Sequence, residues 1–346
     1  MSWNFSTGVG KSRGILALTL AIIGLAGVAF VSPAHAAAEG QADNSNVHVM
    51  HVQGNVYMLV EPGMNNVTVQ IGDEYIIVVD PGAAQYADEM LAKIKSLSSL
   101  PIMFIVNTSA DPDHYSANAK VSQAGWALPN AGITGADPAV GLAVATKARL
   151  GSGAPILGHA DTIFRSTSEK LASNSITYHD EGFKLYNDEA VIFYHMKSAH
   201  SNGDSMVYFR KSDVISVGEL FCPFSYPVID TENGGTLNGL IGSLNDVIDL
   251  MVPKENEEGG TYVIPGHGHL SDRNDIVNYR DMLTIIRDRI QDMVRSGMKL
   301  DQIKAAKPSF DYDPLFGSST GPMPADRFTE ILYRELTNGK TMQRKK

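Results

Sequence analysis

The sequence predicts an α/β (α+β) protein in which two sheets pack together and carry helices on their outer faces. Two observations lead there. A series of short apolar or alternating segments is followed by a helix, and that order occurs twice along the chain. Every turn rich in His, Asp or Glu also comes directly after an apolar strand, so the reactive side chains collect at strand ends. No repeat of solenoid period and no low-complexity linker interrupts the pattern.

The N-terminus stands apart from this scheme. Lys11 and Arg13 precede an almost uninterrupted apolar run over 14–31, and Ala34-His35-Ala36 is a small-x-small cleavage signal. These features predict a secretory leader over 1–36, cleaved near Ala36. The protein is then exported, periplasmic or secreted, and has no stable membrane association once the leader is gone. A retained anchor is the alternative reading of the apolar run.

Strands are predicted over 47–52, 56–61, 67–71 and 74–79, separated by Gly and Asn turns and paired antiparallel as consecutive neighbours. Asp80-Pro81-Gly82 ends the last of them, and 86–97 carries apolar residues at helical spacing. Residues 102–106 form a buried strand, and 116–123 has the composition of a helix opening. The stretch 128–155 is rich in Ala and Gly and is read as partly helical, while 160–172 is mixed. Further strands are predicted over 176–179, 183–186, 190–196, 205–210 and 214–217, then a helix over 237–251 and a short strand over 262–264. Beyond Asp272 the texture becomes charged and amphipathic, with helices over 275–296, 300–306 and 324–336. Met282 and Met293 belong to their apolar faces. The organisation is therefore a leader (1–36), a main domain (37–274) and a C-terminal helical extension (275–346). That extension covers the same domain or meets a second copy in a homodimer.

Composition narrows the function. Asp and Glu outnumber Lys and Arg by 38 to 28, a formal net charge of −10. This balance argues against nucleic acid and anionic membranes as partners, since both require clustered cations, and leaves a small-molecule substrate. The single cysteine, Cys222, excludes an intrachain disulfide and any Cys-rich metal site. It has no flanking His or basic residue and reads as a small buried hydrophobe. A metal ion must be held by His, Asp and Glu.

Four segments qualify. The first is Ser109-Ala110-Asp111-Pro112-Asp113-His114, directly after the 102–106 strand. The others are His200, in Ala199-His200-Ser201-Asn202-Gly203-Asp204-Ser205, then Glu219 in Val217-Gly218-Glu219-Leu220, and His267 between two glycines. All four follow strands, so in a layered fold they converge on one edge. His48, His51, His179 and His195 lie in strand-like runs and read as surface or packing residues; His269 reads as solvent-facing or supporting.

Taken in order, these motifs resemble the metallo-β-lactamase-fold superfamily over roughly 47–270. They are Asp80 in Val79-Asp80-Pro81-Gly82, the Asp113-His114 pair, His200 before Gly-Asp-Ser, Glu219 where the family often has Asp, and Pro265-Gly266-His267-Gly268. The resemblance implies a four-layer αββα sandwich with one or two metal ions at the edge of the sheets, usually zinc, with iron or manganese as alternatives. By position, Ser109 (a weak ligand), Asp111 and His200 form one site. Asp113, His114 and His267 form the other, with Glu219 between them. Asp80 supports a ligand imidazole, and His159 matches a family position outside the metal shell. The family's motif is His-x-His-x-Asp-His; here both leading histidines are replaced, by Ser109 and Asp111. That change makes the first site oxygen-rich.

The leading expectation is metal-dependent hydrolysis of a small ester, lactone, amide or related substrate, with Asp111 and Asp113 at the reacting centre. No Gly-x-Ser-x-Gly stands at a strand end, which argues against a serine nucleophile. The alternatives are an iron-dependent redox or oxygen-handling enzyme on the same fold, and a binding protein whose catalytic site has decayed. The long apolar loop Phe221-Cys222-Pro223-Phe224-Ser225-Tyr226-Pro227 is expected to wall a substrate pocket or to pack beneath the C-terminal helices.

Overall fold

Consecutive β-branched and apolar segments joined by tight turns build the first sheet. A computed structural model describes residues 45–126, 153–166, 175–179, 183–256, 259–317 and 321–343. The predicted leader and most of the Ala- and Gly-rich stretch lie outside them. Strands β1 (His48–Gln53), β2 (Val56–Val60), β3 (Asn66–Ile71) and β4 (Ile76–Val79) form an antiparallel meander. After a 3-10 turn at Ala84–Tyr86, helix α1 (Ala87–Leu97) returns the chain to β5 (Ile102–Asn107), which lies parallel to β4. Where the sequence predicts one helix over 116–123, the structure has two: the single turn α2 (Pro112–Tyr115) and then α3 (Asn118–Ala124). Strand β6 (Ile156–His159), helix α4 (Ala160–Ser166) and strand β7 (Ser175–Tyr178) follow, and β6 and β7 extend the sheet in parallel. The sequence reading has no strand at 156–159. Four residues ending in Gly-His show no alternation, and β6 forms because β5 and β7 pair with it on either side.

The second sheet contains β8 (Phe183–Tyr186), β9 (Ala190–His195), β10 (Ser205–Phe209), β11 (Val214–Gly218) and β12 (Tyr262–Pro265), in the order β12-β11-β10-β9-β8. Only β11 and β12 pair in parallel, and helix α5 (Leu237–Leu250) lies between them in the chain. Because β10 is antiparallel to both β9 and β11, the strands β9, β11 and β12 all end at one edge. Beyond β12 come α6 (Arg273–Arg295), α7 (Leu300–Ala306), the short α8 (Asp313–Phe316) and α9 (Ala325–Gln343). A capping box starts α6: the Asp272 carboxylate accepts from the Asn274 and Asp275 amides, and Asp275 accepts from the Asp272 amide.

Three apolar clusters define four layers. Met58, Ile77, Phe104 and Val106 of the first sheet meet Phe193, Val207, Phe209 and Ile264 of the second. On the outer face of the first sheet, Met90, Leu91 and Ile94 of α1 cover Ile76, Val78 and Ile105. On the outer face of the second, Ile215, Val217 and Val263 lie under Leu240 and Leu244 of α5, Tyr279 and Leu283 of α6, and Phe328 of α9. The C-terminal helices thus cover the sheet, with Met282 buried and Met293 partly buried against it. Among the described residues, no helix is long and apolar enough to cross a membrane.

Phe193 has no exposed surface and lies in the cluster between the sheets. Phe193→Ala is expected to cost about 3–5 kcal/mol in denaturant-induced unfolding. A cost below about 1 kcal/mol would contradict the packing described.

Candidate metal centre

Two loops of the second sheet, after β11 and β12, approach the turn after β5 of the first so closely that each needs glycine. Gly218, which ends β11, has φ +52°, and a Cβ there would lie 2.1 Å from Thr108 Oγ1. At Gly266 a Cβ would lie 2.6 Å from His114 Cε1 and 3.0 Å from the Gly218 carbonyl oxygen. The Gly266 amide donates to that same carbonyl at 2.9 Å. Across the edge, the Ser205 amide donates to the Thr108 carbonyl at 2.9 Å. The turns after β5, β9, β11 and β12 therefore meet at one place.

His114 is buried and fixed from behind. Its Nδ1 is 3.0 Å from Asp80 Oδ2, and Asp80 is itself held by the Thr108 amide (2.8 Å to Oδ1) and the Thr108 hydroxyl. Asp80 adopts a positive φ of 49°, uncommon for a residue with a side chain, and so stays in place only because these contacts hold it. This arrangement aims His114 Nε2 at Glu219 Oε1, 2.7 Å away. His267 Nε2 lies 3.2 Å from the same oxygen and 3.1 Å from Asp113 Oδ2. Ligand atoms of Asp113, His114 and His267 all fall within 4.8 Å of one another.

A second group stands beside the first. Asp111, His200 and Glu219 also bring ligand atoms within 4.8 Å. His200 is held like His114: Nδ1 lies 3.3 Å from Asp204 Oδ1, leaving Nε2 at 3.5 Å from Asp111 Oδ2. Asp204 is in turn fixed by the Ser201 amide and hydroxyl at 2.5 and 2.8 Å. The Ser109 hydroxyl donates to Asp111 Oδ2 at 2.6 Å. In this structure Ser109 thus positions Asp111.

The donor sets fit divalent metal ions. Two imidazoles and two carboxylates suit zinc, manganese or iron, while one imidazole with two carboxylates favours the harder ions. In both groups a carboxylate behind the ring binds Nδ1 and leaves Nε2 facing inward, the usual support for a ligating histidine. Asp113, His114, His267 and Glu219 would hold one ion, and Asp111, His200 and Glu219 a second.

The carboxylates and imidazoles of the cluster shift one another's proton affinities. Burial pulls the pKa of His114 down, but the Asp80 and Glu219 carboxylates outweigh it and hold that pKa well above the usual imidazole range. His200 is opposed by burial and raised to about 9, mainly by Asp204. His267 is likewise raised to about 9, by Asp113 and Glu219. Burial raises Glu219, yet His114 and His267 hold it well below the usual carboxylate range. Hydrogen bonding to His267 lowers Asp113, whereas burial lifts Asp111 despite His200.

Several supporting residues escaped the sequence reading. Asn65 Nδ2 donates to Glu61 Oε2 (2.8 Å) and to the Asp113 carbonyl (2.9 Å), and the Ala83 amide donates to Glu61 (3.1 Å). Asn66 Nδ2 donates to the carbonyls of Pro265 and Gly268 at 2.9 and 2.8 Å, pinning the loop that carries His267. An Asn pair followed by a strand is ordinary turn chemistry, and nothing local marks its distant partners. Asp204 could have been found, because it lies four residues after a candidate ligand in a Gly-Asp-Ser turn.

Other candidates go elsewhere. His159 stacks on His195, with ring centroids 3.7 Å apart, and meets His179 and Tyr178 edge-on. His48, His51 and His269 are exposed. Burial lifts the Cys222 thiol to about 11, which keeps it neutral.

The metallo-beta-lactamase superfamily model matches residues 60–282. The chain belongs to this superfamily. Among solved structures it is similar to the stereoselective inverting sec-alkylsulfatase Pisa1 from Pseudomonas sp. (12% identity, TM-score 0.58) and to a double mutant of that enzyme (12%, 0.57). Each match covers 84% of this chain but only 50% of the sulfatase, so the chain spans about half the length of these relatives. A metallo-beta-lactamase from Pontibacter korlensis is 13% identical over 69% of this chain and 99% of its own, with a TM-score of 0.49. No curated protein matches in sequence. At this identity the two sulfatase structures establish the fold alone, in agreement with the layered arrangement expected from the motifs.

Metal ligation needs neutral imidazoles, and the neighbouring carboxylates raise the pKa of His200 and His267 to about 9 against the effect of burial. Zinc binding at pH 7 is therefore expected to release protons, and affinity to rise with pH until about 9. Calorimetry in buffers of different ionisation enthalpy checks both; binding without proton release would contradict the assignment. Asp80→Asn is expected to weaken zinc binding about 10- to 100-fold, measured by competition with a chromophoric chelator.

Proposed function

We propose that the protein is a metal-dependent hydrolase that uses activated water on a small ester, lactone, amide or related substrate, with zinc as its usual metal. One observation carries this reading: two groups of candidate ligands meet at Glu219, a member of one that lies 2.7 and 3.2 Å from the His114 and His267 imidazoles of the other, beside a cavity of about 390 Å³ lined by Asp111, Asp113, His200, Glu219 and His267 together with the loop from Phe221 to Val228. A reactive centre beside a substrate-sized space is the arrangement hydrolysis requires. Superfamily membership adds support, since the fold hosts many hydrolases, but fold by itself does not choose the substrate.

A divalent ion, when bound, polarises a carbonyl or ester oxygen and lowers the pKa of water from about 16 toward about 7. The protein's own residues supply the rest. Asp113, His114, His267 and Glu219 would hold the ion, with Asp80 keeping the His114 ring in the required orientation. Asp111 faces the cavity with part of its carboxylate exposed, and burial lifts its proton affinity. It can take a proton from the attacking water and return it to the leaving oxygen or nitrogen, so water adds across the bond with nothing left over. Ser109 and His200 fix Asp111 for that task, or let it share a second ion with His200.

The carboxylate-rich second group gives an iron- or manganese-containing redox enzyme as the alternative, because added oxygen donors favour those metals. A decayed binding protein is less consistent with the geometry: His114 and His200 keep the carboxylates that support them from behind, and so many buried titratable groups are costly without a ligand to use them. We further propose an exported protein, supported by the basic, apolar and small-residue order of 1–36.

Metal analysis of protein purified without chelator, followed by a panel of ester, lactone, amide and sulfate-ester substrates, tests the proposal. Hydrolysis is expected to disappear on chelation and return with zinc. Asp113→Ala and His267→Ala are each expected to lower kcat/KM at least about 100-fold with the far-UV spectrum unchanged. Stoichiometric metal with no turnover across the panel would reject the hydrolase reading, and iron in place of zinc would favour the redox one.

A further inference from the structure

The space beside the metal ligands is chemically divided. On one side the cavity of about 390 Å³ is walled by Phe221, Phe224, Tyr226, Pro227, Val228 and Pro322. Phe221 and Tyr226 are buried and braced from behind: Phe221 meets Tyr279 edge-on, with centroids 5.0 Å apart, and Tyr226 stacks on Phe328 at 4.8 Å. The Tyr226 hydroxyl is occupied by Asp313 at 2.8 Å, so this side offers a substrate little hydrogen bonding. Of the wall residues, Phe224 and Val228 stay 38% and 36% exposed, so part of the apolar wall is open to solvent. Exposed apolar surface next to reactive groups is the signature of a ligand-binding wall.

On the other side, a second cavity of about 1130 Å³ shares Asp111, His200 and Val228 with the first. Its lining includes Arg327, Glu330, Arg334 and Glu335 of α9, with Ile229 and Ile331 among them. Asp111 and His200 therefore stand at the junction of an apolar compartment and a polar one of mixed charge.

We propose that the substrate is an amphiphile. An aliphatic limb of several carbons lies against the Phe221–Val228 loop, the polar limb lies in the cleft beside α9, and the bond to be cleaved sits between them at Asp111 and Glu219. This inference rests on the hydrolase reading for the final step, but the apolar wall can be tested without turnover. Phe224 and Val228 set the preference for chain length, and a wholly polar substrate forfeits that contact.

Butan-1-ol, hexan-1-ol and octan-1-ol serve as probes, titrated into the full-length protein as isolated. Being neutral, they report on the wall whether or not metal is bound. Affinity is expected to rise about tenfold for every two added methylenes. Phe224→Ser and Val228→Ser, both at partly exposed positions, are expected to cut that rise to about threefold or less, with metal content unchanged. A flat series, or no measurable binding of octan-1-ol, overturns the inference. Hydrolysis without chain-length dependence overturns this inference alone, whereas a chain-length dependence without hydrolysis overturns only the hydrolase reading.

Discussion

The Glu219 carboxylate is the constraint on which the centre depends. It stands one residue past β11 of the second sheet and accepts from histidines carried by loops of both sheets: His114 at 2.7 Å and His267 at 3.2 Å. A buried carboxylate is expensive unless it is paired. This one is satisfied only when the turn after β5 and the loop after β12 are both in position. Gly218 and Gly266 allow that approach, because any side chain at either position would collide with the facing loop. Assembly of the sandwich and assembly of the centre are thus one event.

The two ligand groups differ in ways that matter for chemistry. The Asp113–His114–His267 group is supported by Asp80, Asn65 and Asn66, which reach it from the first sheet. The Asp111–His200 group is supported by Asp204 and by a serine hydroxyl that points at Asp111. With Ser109 donating, the group is left with one imidazole and two carboxylates, and carboxylates bind hard ions or carry protons more readily than they hold zinc alone. The asymmetry continues outward, with an apolar compartment on one side of Asp111 and a charged cleft on the other.

Much of the fold was legible because its elements are local. The β1–β4 meander, α1, α5 and the C-terminal helices follow from apolar periodicity and turn residues within short windows. Strand β6 was not legible, because its hydrogen-bonding partners β5 and β7 define it rather than its own four residues. The helix expected over 116–123 is replaced by two: Pro112 opens the single turn α2, where its missing N–H does no harm, and α3 starts at Asn118. Residues 127–152, part of which was expected to be helical, lie outside the described residues.

The sequence by itself determined the candidate ligand types, their order and their place at strand ends. Those follow from residue identity and from hydrophobic pattern, both of which are written locally. The resemblance implied the grouping of the candidate ligands with Glu219 between them. Tertiary structure supplied the distances, with Glu219 accepting from both His114 and His267, and showed that Ser109 donates to Asp111. It also decided that Glu61, Asn65 and Asn66 hold the loops in place, and that His159 joins His195 in a separate stack. The physical reason is distance along the chain. Hydrogen bonds and ion pairs act over about 3 Å in space, while His114 and Glu219 lie 105 residues apart in sequence and Asn66 and Pro265 lie 199 apart, so the packing of the two sheets brings these pairs together.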